Sequence, residues 1–426
     1  MTSPTPDFSP DSPSVREAAV FDKLRGTSES PSKMLALMVE HFRQSRQPVE
    51  LFEGLKMQIR DHLGLPLLVT EHDKPKPEEV ERQLEAGLLE ACTEVGQMLI
   101  DDGKVAEGWM YLRPTGDVEL ARKSIAKIPI TEENYDAMIQ VLLHEGLDVG
   151  RGFAAVLEHQ GTCNSITLYE QAVASRGKAD RQAAAARLLD HLYNELVVLV
   201  RGDIARRESP AGEDETLSQM LQTRPWIMDE GAYHLDTTHL ASTVRIASVL
   251  DDPSQHQKAR DLCQYGRRLS AQYQYPGEEP FVDFYPAYNT FYSTLLGEDT
   301  EAGLKWFERK ARAVDTKQFG ASAIETYVDL LDRVGQHGKA VKVAVELVPD
   351  DMPSQRIVPL LLDIASRDAA SRDAASRDAA SRDAASRDAA SDADSTKKLD
   401  VYQTILDYCR RHNDVLGYTA ALHDIR

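Results

Sequence analysis

Cysteine is scarce in this sequence, and no two cysteines have the spacing of a metal or redox motif. Four cysteines, Cys92, Cys163, Cys263 and Cys409, are scattered over 426 residues, so a zinc ribbon or a thioredoxin-type site has no support. Separate thiols of this kind are typical of a reducing compartment. The first fifteen residues contain no Lys or Arg and no apolar run, unlike a secretory signal. We therefore expect a cytoplasmic protein.

Long apolar runs and basic clusters are also missing. The most apolar stretch, Leu192–Val200, is shorter than the ~18 residues that cross a bilayer, and Asn194 and Glu195 interrupt it. The formal net charge is −20, and basic residues stand together only in pairs such as Arg206–Arg207. Since such a surface repels phosphate groups and anionic lipids, we expect neither a nucleic-acid partner nor a membrane partner.

Motifs for nucleophiles and for phosphate binding are absent as well. The sequence has no GxSxG, no Walker A loop and no GxGxxG. Three glycines fall in Gly146–Phe153 (GLDVGRGF), but no predicted strand precedes them and the stretch has no lysine to hold a phosphate. We interpret this stretch as a turn between helices, and we expect no cofactor.

Helix-forming residues dominate the rest of the chain. The composition is 42% hydrophobic and 28% charged, enough to bury a core, and apolar residues recur at helical spacing along most of the sequence. The predicted organisation is a disordered tail over 1–15, a helical pair over 16–70, a helical-hairpin array over 79–208 and a second helical-hairpin array over 217–426. The Pro-, Gly- and acid-rich stretch Ser209–Thr216 separates the two arrays.

Three joints between predicted helices share one spacing: a glycine, a small residue five positions later and an apolar residue four positions after that. They are Gly103, Gly108 and Leu112 in the first, Gly297, Ala302 and Trp306 in the second, and Gly335, Ala340 and Ala344 in the third. Glycine accepts the left-handed conformation that ends a helix, and a small residue lets the next helix approach closely. The spacing therefore predicts tight helix pairs.

This spacing resembles the tetratricopeptide repeat, in which a tight turn is followed by a small residue early in the second helix and a bulky one a turn later. The resemblance is strongest over Tyr285–Asp351, where Ala323–Asp351 covers nearly a whole unit, and it extends more weakly over Glu79–Glu158. It implies an all-α fold, a helix-hairpin α-solenoid with irregular repeats, whose surface holds peptides or partner proteins.

The segment Ser270–Leu304 combines aromatic and acidic residues and contains no Lys or Arg. Aromatic faces beside carboxylates suit a cationic group, a basic peptide or a sugar ring. The alternative is that the aromatics at helical spacing pack in a core; these are Phe284, Tyr288, Phe291 and Tyr292. We predict a binding surface here, formed by Tyr273, Tyr275, Phe281, Asp283, Tyr285 and Tyr288.

Histidines and carboxylates offer a metal site as the alternative. The densest group is YHLDTTH, with His234, Asp236 and His239 as candidate ligands for zinc or a non-haem metal. On a helix, Asp236 and His239 share a face, but the strong HExxH spacing is absent. Cys163 with His159 is a conceivable nucleophile pair. The other candidate ligands are His144, Glu145, Glu158, His191 and Glu195.

Two functions follow from these features. The first is a non-catalytic helical-repeat scaffold that mediates protein–protein interactions, because no strong catalytic motif is present and the acidic balance favours a basic protein or peptide partner. The second is a metal-dependent or carbohydrate-active enzyme on an all-helical frame, which would use the histidine group or the aromatic and acidic segment.

Five copies of SRDAA fill residues 366–390. Ala and Arg favour helix, and each Asp except the last stands four residues before the next Arg, the favourable order for ion pairs. A period of five turns the face by about 140° per copy, so the alanines form no continuous stripe. We therefore predict a solvated, partly helical insertion without a face that docks on the array.

Overall fold

The computed structural model describes residues 13–69, 75–349, 351–382 and 400–425, apart from the side chains of 13–19, 230 and 372–382. Throughout these residues the regular elements are helices and no strand is formed, so the predicted all-α class is confirmed. In the same ranges, no helix combines the length and the apolar composition needed to cross a membrane. Of the predicted N-terminal tail, residues 1–12 lie outside this description.

The chain divides into two compact units, Met1–Ala184 and Ala185–Arg426. The division falls inside a long helix, whereas the sequence predicted a boundary at Ser209–Thr216. That loop is fixed within the second unit, because Arg201 Nη2 donates to the carbonyl oxygens of Glu213 and Glu215 at 2.9 and 2.8 Å. Arg224 also forms an ion pair with the Glu215 carboxylate at 2.6 Å. The loop is therefore part of the packed structure rather than a linker.

Helices of the first unit pack mainly on their neighbours in the chain. α2 packs on α3, α3 on α4 and α4 on α5, around a core that includes Leu51, Val95 and Leu99. Proline at the first position of α2 and of α3 marks each start, as the predicted helical pair requires. The helices are α1 (Pro13–Gly26), α2 (Pro31–Gln44), α3 (Pro48–His62), α4 (Glu78–Asp101), α5 (Val105–Leu112), α6 (Val118–Ala126), α7 (Tyr135–Ile139) and α8 (Val149–Leu168).

The second unit continues the same pattern after α9 (Lys178–Arg207), which begins in the first unit. α12 packs on α13, α13 on α14, α14 on α16, α16 on α17 and α17 on α18. The helices are α10 (Leu217–Thr223), α11 (Thr237–Ile246), α12 (Pro253–Gly266), α13 (Phe284–Leu295), α14 (Thr300–Ala313), α15 (Thr316–Phe319), α16 (Ser322–Arg333), α17 (His337–Leu347), α18 (Ser354–Arg382), α19 (400–411) and α20 (Val415–Asp424).

The first predicted joint has the expected geometry. Gly103 ends the turn after α4 with a φ of 78°, which favours glycine. A Cβ built on Gly108 would lie 2.5 Å from Ile100 Cγ1 and 2.8 Å from the Gly96 carbonyl oxygen, so the backbones of α4 and α5 meet there. Leu112 is buried on the same face. The third joint follows the same rule: its glycine has a φ of 80°, and Ala340 and Ala344 are buried.

The second joint differs from the prediction by one residue. The residue of α14 that meets α13 is Gly303, where a Cβ would clash with Thr294, and not the exposed Ala302. Likewise Phe307 is buried, and Trp306 only partly. The physical reason is a longer turn: Asp299 adopts a left-handed conformation with a φ of 49° and shifts the start of α14 by one position.

The first SRDAA copy docks on α16 and the start of α17, in contrast to the predicted solvated insertion. The α18 backbone is helical through Arg382. Arg367 Nη2 donates to Asp332 Oδ2 at 2.8 Å, and Asp332 Oδ1 lies 2.7 Å from His337 Nδ1. Asp368 is only 7% exposed. The five copies together form no continuous apolar stripe along the helix. The residues of one copy nevertheless share a local face, and the first copy packs through that face. The predicted ion-pair ladder involves side chains outside the described residues.

We expect Gly108→Ala to destabilise the protein by about 1–3 kcal/mol, because its Cβ would overpack the α4–α5 contact. Urea unfolding followed by circular dichroism measures this change. The matched control is Gly202→Ala in α9, where a Cβ would meet no atom within 4 Å. That substitution removes backbone freedom from the unfolded chain and should stabilise by ~0.5–1 kcal/mol. Equal changes in the free energy of unfolding at the two positions would contradict the close approach of α4 and α5.

A double-mutant cycle tests the docked SRDAA copy. The variants Arg367→Ala, Asp332→Ala and their combination should show a coupling free energy of about 1 kcal/mol, because the ion pair is partly shielded. The surface pair Arg410–Asp407, with both side chains more than half exposed, is the control and should couple by less than ~0.5 kcal/mol. A coupling free energy near zero for Arg367 and Asp332 would contradict docking and would support the predicted solvated insertion.

Candidate functional site

The aromatic and acidic segment begins where α12 ends and runs into α14. A short 3₁₀ turn, Ala271–Tyr273, leads into a loop, and α13 starts at Phe284. The last residue of α12, Gly266, has no side chain, and a Cβ there would lie within 2.5 Å of Tyr285 Cδ1. This glycine therefore allows the Tyr285 ring to lie against the end of α12, and it fixes where the preceding loop emerges.

The half of the segment that follows Phe284 belongs to the core. Tyr292 is buried and donates its hydroxyl proton to the Val244 carbonyl oxygen at 2.6 Å. Burial raises the pKa of Tyr288 to about 12. Tyr285 is 1% exposed, and burial raises its pKa as well. The predicted surface is corrected here: Tyr285 faces the core because helical spacing aligns it with α12, and it is not available to a partner.

The loop before α13 carries the accessible members of the predicted surface. Tyr275 is 38% exposed, with its ring 5.0 Å from that of Phe284. Tyr273 is partly exposed, and Asp283 is exposed. Phe281 is partly buried, because its ring stacks on Trp306 at 6.1 Å and contacts Phe307 at 5.7 Å. The loop is thus anchored by one aromatic side chain and displays others.

Tyr233 joins this loop from a different part of the sequence. It is 52% exposed, and its ring centroid lies 4.6 Å from that of Tyr273. Tyr233 is not among the residues predicted for this surface, because a single tyrosine forty residues before Tyr273 gives no signal of proximity. We define the tyrosine face as this pair with the neighbouring exposed residues of the loop; its members are Tyr233, Tyr273, Tyr275, Val282 and Asp283.

Three carboxylates accompany the tyrosine face: Glu278, Glu279 and Asp283, all exposed. Within the described ranges their carboxylates form no hydrogen bond or ion pair. The loop that carries them is tightly folded at Gly277, which has a φ of 66° and where a Cβ would lie 2.6 Å from the Val282 carbonyl oxygen. Unpaired carboxylates on the same loop as exposed aromatic rings can bind a cationic group through charge and through the ring faces.

His234, a candidate metal ligand, instead links three segments. Its main-chain N–H donates to Tyr265 Oη at 2.8 Å, and its Nδ1 lies 3.1 Å from the same oxygen. Its Nε2 lies 3.7 Å from Asp203 Oδ2. Burial lowers the pKa of His234, and the nearby Asp203 carboxylate opposes that shift. The side chain thus holds Tyr233, its neighbour in sequence, against α9 and α12.

The other two members of that predicted metal group have a structural role. Asp236 is the N-cap of α11 and accepts from the main-chain N–H groups of Thr238 and His239. Its hydrogen bond from the Thr238 hydroxyl, together with those N–H groups, lowers the pKa of Asp236. His239 supplies its main chain to this cap. The carboxylate is therefore occupied in capping the N-terminus of α11.

The remaining candidate ligands lie apart from this group in the sequence and have local contacts. His159 packs its ring 4.4 Å from that of Tyr135. Gly161, with a φ of 77°, kinks α8 between His159 and Cys163, and no hydrogen bond joins those two side chains within the described part of the chain. Across the described ranges, no three His, Cys, Asp or Glu side chains are grouped so that they could hold a metal ion. The other residues that the sequence offered as metal ligands are therefore not part of such a group; they are His144, Glu145, Glu158, His191 and Glu195.

Comparison with known proteins yields no relative. No protein-family model matches the chain, and no curated protein or solved structure matches it. The geometry of the described residues is therefore the basis for a functional proposal.

Acidification from pH 7.5 to 5.5 should lower the free energy of unfolding, in part through His234. Its pKa in the fold lies below the unfolded value of about 6.5, so the unfolded chain binds the proton first and gains stability as the pH falls. We expect His234→Gln to make this pH dependence shallower, measured by urea unfolding at several pH values. His423→Gln, at an 87% exposed side chain, is the control. An unchanged slope in His234→Gln would contradict the assignment.

Proposed function

We propose that the chain is a non-catalytic helical-repeat scaffold that mediates protein–protein interactions. The observation that carries this proposal is the tyrosine face, where one loop carries exposed aromatic residues together with exposed carboxylates that have no partner among the described residues. Exposed tyrosines are frequent at the centre of protein interfaces, since they bury a large area at a small entropic cost. A fixed helical frame that presents such residues suits recognition of another protein.

The proposed arrangement is a divergent α-solenoid of the tetratricopeptide type. Its support is the packing of each helix mainly on its neighbours in the chain and the glycine joints at Gly103, Gly297 and Gly335, each with positive φ. A hairpin of this kind cannot bury its apolar face alone, so hairpins stack and expose an extended surface. In this arrangement the loops between helices carry the recognition residues, as the tyrosine face does.

The enzyme alternatives have less support from the described residues. Asp236 serves as a helix cap, and His234 is engaged with Tyr265, so two of the three predicted ligands already have structural contacts. A carbohydrate-active enzyme would use the same tyrosine face, because sugar rings also stack on aromatic faces. We propose a cytoplasmic location for the scaffold, where the four cysteines, all free in the described residues, stay reduced.

Affinity capture from the native cells tests the scaffold. We expect the wild type to retain a reproducible set of proteins, and the variant Tyr275→Ala/Asp283→Asn to lose most of them, because it removes an aromatic contact and a charge from the face. The control variant is Phe319→Ala/Glu325→Gln, which makes the same kinds of change at exposed residues elsewhere in the second unit. Thermal melting verifies that both variants fold.

Two results would count against the proposal. If the wild type retains no protein above the background of an unrelated acidic chain, the scaffold function fails. If the tyrosine-face variant and the control variant retain the same proteins, the function stands but this face is the wrong surface. Binding of an oligosaccharide to the purified wild type, lost in the Tyr275→Ala/Asp283→Asn variant, would favour the carbohydrate alternative.

A further inference from the structure

We propose that the tyrosine face binds an arginine-rich segment of the partner protein. This inference rests on the scaffold function proposed above and adds the chemistry of the bound segment. It also assigns a role to Tyr233, which stands outside the aromatic and acidic segment in the sequence.

The rings of Tyr233 and Tyr273 form an accessible aromatic pair that no cationic side chain of the described residues covers. The rings of Tyr233 and Tyr273 lie 4.6 Å apart with planes inclined by 48°, and both residues retain exposed surface. Elsewhere in the chain, arginines stack on aromatic rings: Arg207 over Trp226 at 4.8 Å and Arg410 over Tyr418 at 5.1 Å. Among the described residues, no cation lies over the tyrosines of the tyrosine face. A guanidinium from a partner can take that position.

The carboxylates favour arginine through geometry as well as charge. Between Leu269 and Leu304 the chain has six acids and no Lys or Arg, and Glu278, Glu279 and Asp283 are exposed and unpaired within the described residues. Two basic residues, Arg267 and Arg268, directly precede this stretch and offset part of its negative charge. We therefore assign the attraction for a cationic group to the loop carboxylates and not to the charge of the whole region. A guanidinium can bind a carboxylate through two parallel hydrogen bonds, which an ammonium group cannot do.

The loop is held in place before a partner arrives. Phe281 packs against the rings of Trp306 and Phe307, Gly277 folds the loop onto its own backbone, and Gln274 Nε2 donates to the Leu269 carbonyl oxygen at 2.9 Å. Because these contacts already order the loop, binding costs little conformational entropy. The chain therefore presents the accessible tyrosines and the unpaired carboxylates on one ordered loop.

The test uses two labelled probes, nona-arginine and nona-lysine peptides, titrated with the purified full chain and followed by fluorescence anisotropy at physiological salt. We expect the wild type to bind the arginine peptide several-fold more tightly than the lysine peptide. Tyr233→Ala/Tyr273→Ala should weaken arginine binding by about tenfold, which corresponds to a loss of ~1.4 kcal/mol. Tyr233→Phe keeps the ring face and should bind like the wild type, which separates loss of stacking from loss of folding.

A charge-matched pair of variants separates the local carboxylates from the overall negative charge. Glu278→Gln/Glu279→Gln/Asp283→Asn removes the acids of the loop, and Glu213→Gln/Asp214→Asn/Glu325→Gln removes three exposed acids elsewhere in the second unit. We expect the first triple variant to lose about tenfold in arginine-peptide affinity, and the second to change it less than twofold. The two variants have the same net charge, so bulk electrostatic attraction predicts equal losses.

Three results would overturn the inference: equal affinity for the two peptides, equal losses in the two triple variants, or unchanged binding in Tyr233→Ala/Tyr273→Ala. These failures are distinguishable from failure of the scaffold function. If the arginine peptide fails any of these comparisons while captured proteins still depend on Tyr275 and Asp283, the scaffold stands and its partner is recognised by other chemistry. If capture also fails, the scaffold function itself is contradicted.

Discussion

The fold depends on the close approach of consecutive helices at residues with little or no side chain. A helix surface bears ridges that keep neighbours about 8–10 Å apart, and glycine removes a ridge. Gly96 and Gly108 bring the backbones of α4 and α5 together, and Gly303 brings α14 onto Thr294 of α13. At Gly266 the missing side chain instead admits the Tyr285 ring. Each of these contacts buries apolar surface from both elements, which is the main favourable term in folding.

This constraint also determines which aromatics remain accessible. Because Gly266 accepts the ring of Tyr285, the first turn of α13 is held against the end of α12 with its aromatic residues inward. The loop that precedes it must then run along the outside, where it displays Tyr275 and the unpaired carboxylates. The core and the tyrosine face are thus two sides of the same packing arrangement.

Much of the fold can be predicted from the periodicity of apolar residues and from turn chemistry. Which residues of distant segments meet in the folded chain cannot be predicted in this way. Helical spacing and glycine predicted the helices and two of the three joints, since both signals are local. The second joint was displaced by one residue, because the left-handed Asp299 lengthens the turn and glycine, rather than aspartate, is the usual signal of that conformation. Tyr233 was missed because its contact with Tyr273 depends on how distant segments pack. The docked SRDAA copy was missed for the same reason, since its partners lie on α16 and α17.

A buried polar link connects the stability of the second unit to the position of the tyrosine face. Tyr265 is fully buried, and its hydroxyl bonds to the main chain of His234 and contacts the imidazole. An unsatisfied hydroxyl at that depth would cost about 1–3 kcal/mol, so the segment that carries His234 is strongly favoured in this position. Tyr233 is the adjacent residue, and its ring meets Tyr273 there. The accessible ring pair is therefore positioned by interactions in the core.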